Sequence, residues 1–277
     1  LLQFTRRKLL VVLAAVIGSP VSHSLSPVLH TAAYRELGLP HDYRAIEVNT
    51  DGFADFMKTV NSFWLGLSLT MPLKEIAFSV AHEVTPVALL ARSINTLLVG
   101  ENLVADNTDV IGIVRAIEES AVGPFRTMVL IGSGATARSA IVAAGQLGVR
   151  QVWAVARNQR ALHECEKIAK QVGVGFADMG IRDILWDSET VTINTTPKGV
   201  ADGLLSSMPA PRGALLDVVY HPWPTQIARY WQEFGQVAIP GHTMLLHQAA
   251  KQVELMTGHQ APVEAMRQAL IEALNNR

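Results

Sequence analysis

The chain has one cysteine, Cys165, among 277 residues. An intramolecular disulfide is therefore excluded, and no Cys/His set has zinc spacing, so no metal site is expected. Cys165 falls in a predicted helix and reads as an ordinary packed or half-exposed thiol. Charge is also sparse: 17% of residues are charged and the net charge is −1. That balance gives no electrostatic case for nucleic acid or an anionic membrane surface. The apolar run nearest to a membrane signal, Leu9–Ile17 behind Arg6-Arg7-Lys8, is too short to span a bilayer as a helix. It resembles the start of a signal peptide, but its β-branched residues suit a first parallel strand, and the loop after it favours the strand. A cytoplasmic protein is expected, with the native start within residues 1–8 left open by the absence of an initiator Met.

What the chain has in quantity is apolar surface. Hydrophobic residues make up 49% and the mean hydropathy is +0.24, enough core for about two domains. Strands and helices alternate throughout, which implies parallel α/β sheets. Ser26-Pro27 and Thr85-Pro86 read as a cap followed by proline at a helix start. Ile94–Val99 and Asn102–Ala105 read as a strand pair around Gly100-Glu101, and Asp106-Asn107-Thr108-Asp109 as the cap of a helix over Asp109–Glu119. Gly123-Pro124 is the clearest linker. Beyond it the βαβ rhythm becomes regular, and amphipathic helices over Thr243–Met256 and Pro262–Leu274 close the chain.

The stretch Met128–Ala140 reads as a buried strand, a tight turn and a helix. Gly132, Gly134 and Ala137 fit the G-x-G-x-x-G/A pattern of a dinucleotide site. An acid about 20 residues further on would bind the ribose of NAD. Here stand Ala156-Arg157-Asn158-Gln159-Arg160, with two arginines and no acid. Guanidinium matches a 2′-phosphate in charge and geometry, so NADP is favoured over NAD.

Ser24, Ser26, Thr70, Lys74, Asn95 and Asp106 stand at strand ends of the first half, where open α/β sheets bind ligands. A lining of neutral hydrogen-bonding groups with one cation and one anion suits a small polyhydroxylated substrate. Taken singly, each has an ordinary reading: Ser26 and Asp109 as helix caps, Lys74 as a surface residue.

The segments GSPVSHSLSP (18–27), LTMPLK (69–74), INT (94–96), DNTD (106–109), NTTPKG (194–199), DVVY (217–220) and GHTMLLHQ (241–248), with the glycine loop, occur in the order and spacing of one family. From about Val16 to Gly258 the chain resembles the shikimate dehydrogenases, which reduce 3-dehydroshikimate to shikimate with NADPH. The resemblance implies a catalytic Lys74 with Asp106 as its carboxylate partner. Ser24, Ser26 and Tyr220 would hold the substrate carboxylate, and Thr70, Asn95 and Gln248 the ring hydroxyls. Gly132, Ser133, Gly134, Ala135, Thr136, Ala137, Arg157, Asn158, Arg160, Thr195, Val218 and Gly241 would contact NADP. It implies a substrate-binding domain of residues 1–107 plus 243–277, a connecting helix over 108–119, and a Rossmann-type domain over 120–242, in a monomer or homodimer. Departures from the pattern are Ser68-Leu69-Thr70 before the proline, Ala135 in the glycine loop, Ala156 before Arg157, and Thr243. Two alternatives stand beside this reading: a dual quinate/shikimate dehydrogenase, and a non-catalytic NADP-binding regulator.

Overall fold

The computed structural model describes residues 12–277. Arg6-Arg7-Lys8 and the start of the expected first strand lie outside the described residues. The first half runs β1 (Leu13–Gly18), α1 (Ser26–Glu36), β2 (Asp42–Glu47), α2 (Phe53–Thr59), β3 (Trp64–Leu69), α3 (Leu73–Ile76), β4 (Glu83–Val84), α4 (Pro86–Ala91), β5 (Thr96–Leu98), β6 (Val104–Asp106) and α5 (Asp109–Glu119). The second half runs β7 (Thr127–Ile131), α6 (Ala135–Gln146), β8 (Gln151–Val155), α7 (Gln159–Gln171), β9 (Gly175–Asp178), β10 (Thr190–Asn194), β11 (Ala214–Asp217), α8 (Gln226–Glu233), β12 (Ala238–Pro240), α9 (Gly241–Thr257) and α10 (Val263–Asn275). Among the described residues no helix is long and apolar enough to cross a membrane.

These strands build two six-stranded sheets, ordered β2-β1-β3-β5-β6-β4 and β12-β11-β10-β7-β8-β9. The second is parallel throughout. The first is mixed, because β5 runs antiparallel to both β3 and β6. Only a short turn around Gly100 separates β5 from β6, so no helix can cross over between them. β5, half of the strand pair read around Gly100, is thus the one antiparallel member of a mostly parallel first sheet, in line with the α/β class read from the sequence.

Strand periodicity makes both cores. Along β1, Ala14 and Val16 pack into one apolar layer while Ala15 and Ile17 pack into the opposite one. Along β7, Met128 and Leu130 face one layer and Val129 and Ile131 the other. Both strands are covered on two faces, which is why they read as unbroken apolar runs. The closing helices return to the first sheet: Leu246, Ala249 and Val253 of α9 and Met266 and Leu270 of α10 share a layer with Val16 and Leu29. Cys165 is buried in the layer against β7.

Capping is as expected at two starts and different at a third. The Thr85 side chain accepts from the Ala88 amide at 3.4 Å, and Asn107 Oδ1 accepts from the Val110 amide at 3.2 Å. Ser26, expected as a cap, is instead the first residue of α1, and its own amide donates to Ser24 Oγ at 3.2 Å. The reason is local: the Leu29 amide that a Ser26 cap would receive donates instead to the Leu25 carbonyl at 3.2 Å, and Ser26 lies buried.

α5 lies along α9 at a close crossing that only glycine permits. A β-carbon at Gly112 would stand 2.9 Å from both the Met244 carbonyl oxygen and Gln248 Cβ. Gly112→Val should therefore lower unfolding free energy by about 1–3 kcal/mol through overpacking, read as a lower urea midpoint; an unchanged midpoint would show that the crossing has slack.

Candidate active site

A cavity of about 220 Å³ opens beyond the carboxyl ends of β1 and β3. Ser24, Ser26, Thr70, Lys74, Asn95, Tyr220 and Gln248 all line it, so seven residues from five stretches of sequence meet at one place. Burial raises the Tyr220 phenol above its usual value. Gly18 lets the strand ends approach, since a β-carbon there would lie 2.3 Å from Thr70 Cγ2 and 2.8 Å from the Met71 carbonyl oxygen.

Asp106 is not on this wall. Its Oδ1 accepts from Thr85 Oγ1 at 2.6 Å and from the Asn107 amide at 2.7 Å, which ties the end of β6 to the start of α4. Asp109 holds the place that Asp106 was expected to hold. Lys74 Nζ donates to Asp109 Oδ2 at 2.5 Å, with the two side chains only 14% and 6% exposed. The physical reason is the turn over residues 107–108: Asn95 Oδ1 accepts the Thr108 amide at 2.7 Å, and this swings the first residue of α5 toward Lys74. The clue in the sequence was that Asp109 opens a helix, where a carboxylate is favoured electrostatically and is free to serve a neighbour. Reading it only as a cap missed this.

The other oxygen of Asp109 is partnered as well. Asn95 Nδ2 donates to Asp109 Oδ1 at 2.8 Å and lies 3.4 Å from Gln248 Oε1. Ser68, read from the sequence only as a departure from the family pattern, and Gln252, absent from that reading, also line the cavity. Gln252 Nε2 donates to the Asn95 carbonyl at 3.1 Å and to Thr96 Oγ1 at 3.0 Å, and its Oε1 accepts from Ser68 Oγ at 2.8 Å. Tyr43 OH donates to Ser68 Oγ at 2.6 Å. Behind them His30 stacks on Tyr43 with ring centroids 3.9 Å apart. Burial pushes the His30 imidazole down to about 3. A neutral ring fits its partners: Nε2 donates to Gln252 Oε1 at 3.3 Å, and Nδ1 accepts from Tyr34 OH at 3.4 Å.

A second, larger cavity of about 1120 Å³ lies beyond the carboxyl ends of β7, β8, β9 and β10. Gly132, Ser133, Arg157 and Asn158 line it. Asn158 also caps α7 by accepting the Ala161 amide at 3.1 Å. Arg160 is exposed on α7 and is not on the wall. Nor is Thr195, whose hydroxyl donates to the Ile131 carbonyl at 3.0 Å while its neighbour Thr196 takes the lining position. Residue 195 is held there by the turn, since Gly132 has φ +113 and a β-carbon on it would meet Thr195 Oγ1 at 2.4 Å. The sequence reading also passed over β9, which brings Asp178 to the wall; its Oδ2 accepts from Gln159 Nε2 at 2.9 Å.

The cavity fits a dinucleotide. The first turn of α6 has no side-chain cap, so its amides are free for an anion. A β-carbon on Gly134 would meet nothing within 4 Å, which leaves that side of the loop open. Ala135 starts the helix and Ala137 is buried beneath it. Thr136, Val218 and Gly241, expected near the cofactor, line the smaller cavity instead; Thr136 stands three residues on from Ser133, on the wall of the larger one. Gly241 is where a side chain is excluded: a β-carbon would stand 2.3 Å from the Val218 carbonyl oxygen.

Residues 16–97 match the family model of the shikimate dehydrogenase substrate binding domain, and residues 241–271 that of the shikimate 5′-dehydrogenase C-terminal domain. A shikimate dehydrogenase (NADP(+)) of Leptospira interrogans is 32% identical over 95% of this chain and 96% of its own length. The chain belongs to the shikimate dehydrogenase family. Within the family, the crystal structure of the Mycobacterium tuberculosis shikimate dehydrogenase superposes with TM-score 0.86 at 37% identity, covering 95% of this chain and 99% of that one. The Thermus thermophilus shikimate 5-dehydrogenase, solved in complex with NADP(H) and shikimate, superposes with TM-score 0.84 at 29% identity over 95% and 100%. A Gluconobacter 5-ketofructose reductase has the same fold at TM-score 0.82 and 21% identity, covering 95% and 99%.

Two outcomes follow from this geometry. Asp109→Asn should lower kcat by about 10²-fold or more, the scale of a group acting at a proton-transfer site, whereas Asp106→Asn should lower kcat less than Asp109→Asn; equal losses would reinstate Asp106. His30 carries a pH dependence of stability. Its folded pKa of about 3 lies below the ordinary 6.5, so between these values the unfolded chain binds a proton that the folded chain refuses. Stability from this source is full above about pH 6.5 and is lost as pH falls toward 3, by up to about 1.4 kcal/mol per pH unit. Urea midpoints of wild type and His30→Gln should converge as pH falls; parallel curves would remove His30 as the cause.

Proposed function

We propose that the protein is an NADP-dependent shikimate dehydrogenase that reduces 3-dehydroshikimate to shikimate reversibly, in the route to chorismate and the aromatic amino acids. The observation that carries this is the buried Lys74–Asp109 pair inside a cavity whose wall combines hydroxyls and side-chain amides with His23 and apolar groups. When bound, NADPH supplies the hydride. The chain's own residues do the rest. Lys74 gives its proton to the carbonyl oxygen and stabilises the developing alkoxide. Asp109 holds the ammonium in place, and Asn95 holds Asp109. Ser24, Ser26 and Tyr220 take the substrate carboxylate, and Thr70, Asn95 and Gln248 the ring hydroxyls. Gly132 and Ser133, with the first turn of α6, hold the diphosphate, and Arg157 the 2′-phosphate.

In this proposal residues 1–107 and 243–277 form the substrate-binding domain, and 120–242 the cofactor domain. The shared apolar layer of β1, α1, α9 and α10 supports that division. A monomer or homodimer is part of the same reading. A cytoplasmic location is part of the same reading. The paired serines and the arginine at the end of β8 favour shikimate with NADP over quinate with NAD, and the intact Lys74–Asp109 pair speaks against a regulator without activity.

Absorbance at the reduced-nicotinamide band, with shikimate or quinate and NADP⁺ or NAD⁺, tests these alternatives together. Shikimate with NADP⁺ should give the highest kcat/KM; comparable rates with quinate would favour the dual enzyme, and NADPH binding without turnover the regulator. Lys74→Ala should cut kcat by about 10²–10⁴-fold with KM nearly unchanged. Arg157→Ala should raise KM for NADPH by roughly 10–100-fold, the loss of one charged hydrogen-bonding group, and leave KM for NADH as it was.

A further inference from the structure

Arg138 stands one turn into α6 and is buried, with its side chain 10% exposed. Its guanidinium serves three acceptors outside its own helix. Nε donates to the Ala91 carbonyl at 3.2 Å, and Nη2 to the Arg92 carbonyl at 3.1 Å and to Glu75 Oε1 at 2.6 Å. The two carbonyls belong to the end of α4, where Arg92 turns left-handed at φ 48 and the helix leaves carbonyls unpaired. Glu75 is the residue after Lys74.

The next residue of α6 repeats the pattern on the other half of the pair. Ser139 Oγ accepts from Asn107 Nδ2 at 3.0 Å, and the same amide donates to the Ser93 carbonyl at 2.8 Å. Asn107 lies two residues before Asp109 and caps the turn that launches it. Consecutive side chains of one helix thus grip both segments that carry the ion pair. The loop leading into that helix, Gly132-Ser133, lines the larger cavity, and Thr136 in its first turn lines the smaller.

We propose that Arg138 and Ser139 are positioning residues that make the geometry of the Lys74–Asp109 pair depend on where α6 sits, and so on whether the dinucleotide cavity is filled. This rests on the dehydrogenase reading above. Only a planar guanidinium can reach a carboxylate and two carbonyls in divergent directions at once; an ammonium supplies the charge without the fork. A guanidinium this buried is tolerable only while those acceptors stay in place, so movement of α6 must carry the end of α4 and Glu75 with it.

The test uses the full chain with Glu75→Gln, Ser139→Ala, Arg138→Lys and the Glu75→Gln/Arg138→Lys double variant. Glu75 is 67% exposed, so its variant should fold with an unchanged thermal midpoint and bind NADPH, read by fluorescence without turnover, as wild type does. Its kcat for shikimate should fall about 3–10-fold, the size of a modest coupling, with KM nearly constant and the pH profile of kcat displaced. Glu75→Asp should restore part of the loss. The double variant should be no worse than Arg138→Lys alone, because both changes break one contact. An amine-labelling rate at Lys74, taken with and without NADPH, needs no turnover: NADPH should change it by about threefold or more in wild type and far less in Glu75→Gln and Ser139→Ala. Unaltered kcat, pH profile and labelling response in these two variants would overturn the proposal. So would losses that appear only together with a lower thermal midpoint and weaker NADPH binding. Should wild type fail to oxidise shikimate with either cofactor, the dehydrogenase reading falls, while the labelling response still decides the coupling.

Discussion

An ammonium and a carboxylate held in a cavity of about 220 Å³ must each find partners for every remaining proton and lone pair. Removing one member of such a pair leaves a buried charge, at a cost of about 3–5 kcal/mol. Much of the first sheet's polar interior serves this requirement. Asn95 bonds Asp109, Thr108 and Gln248 through one amide. Gln252 then fixes the Asn95 backbone and Ser68. Tyr43 and the neutral His30 close the network from behind.

The two sheets divide the work by the same geometric rule. Each opens a cavity beyond the carboxyl ends of its strands, one small and polar, the other large enough for a dinucleotide. α5 and α9 lie against each other without a side chain at Gly112, and α9 carries Gln248 and Gln252 back under the first sheet. Ser133 lines the larger cavity and Thr136, three residues on at the start of α6, the smaller. An oxidoreductase of this kind needs a hydride donor and a proton donor on one carbonyl group.

Much of this architecture was legible in the chain. Period-two apolar runs such as Met128–Ile131 are buried on both faces wherever they fall, so the strands could be read without knowing their neighbours. Gly132 and Gly134 meet local demands of backbone shape, and Thr85-Pro86 a local demand for a cap. The strand-end residues Ser24, Thr70, Lys74 and Asn95 stood out because polar groups at the ends of buried strands are costly unless something uses them. Less legible were short elements with weak periodicity. β9 has four residues with no fully buried position, and with it went Asp178 on the cofactor wall.

What the sequence by itself determined was therefore whatever depends on neighbours along the chain: periodicity, caps, the glycine turn, and the residue types available for chemistry. Which carboxylate meets Lys74 was decided only by tertiary structure. Asp106 and Asp109 are three residues apart and chemically identical, and no propensity separates them. The choice falls to Asn95, which belongs to another strand and captures the Thr108 amide, and to Thr85, which occupies Asp106 from α4. The same holds for Ser26, whose place as cap is taken by the Leu25 carbonyl, and for Thr195, turned away by the Ile131 carbonyl. Each outcome is a competition for one hydrogen bond between groups distant in sequence or set apart by a turn, and only the folded chain brings the competitors together.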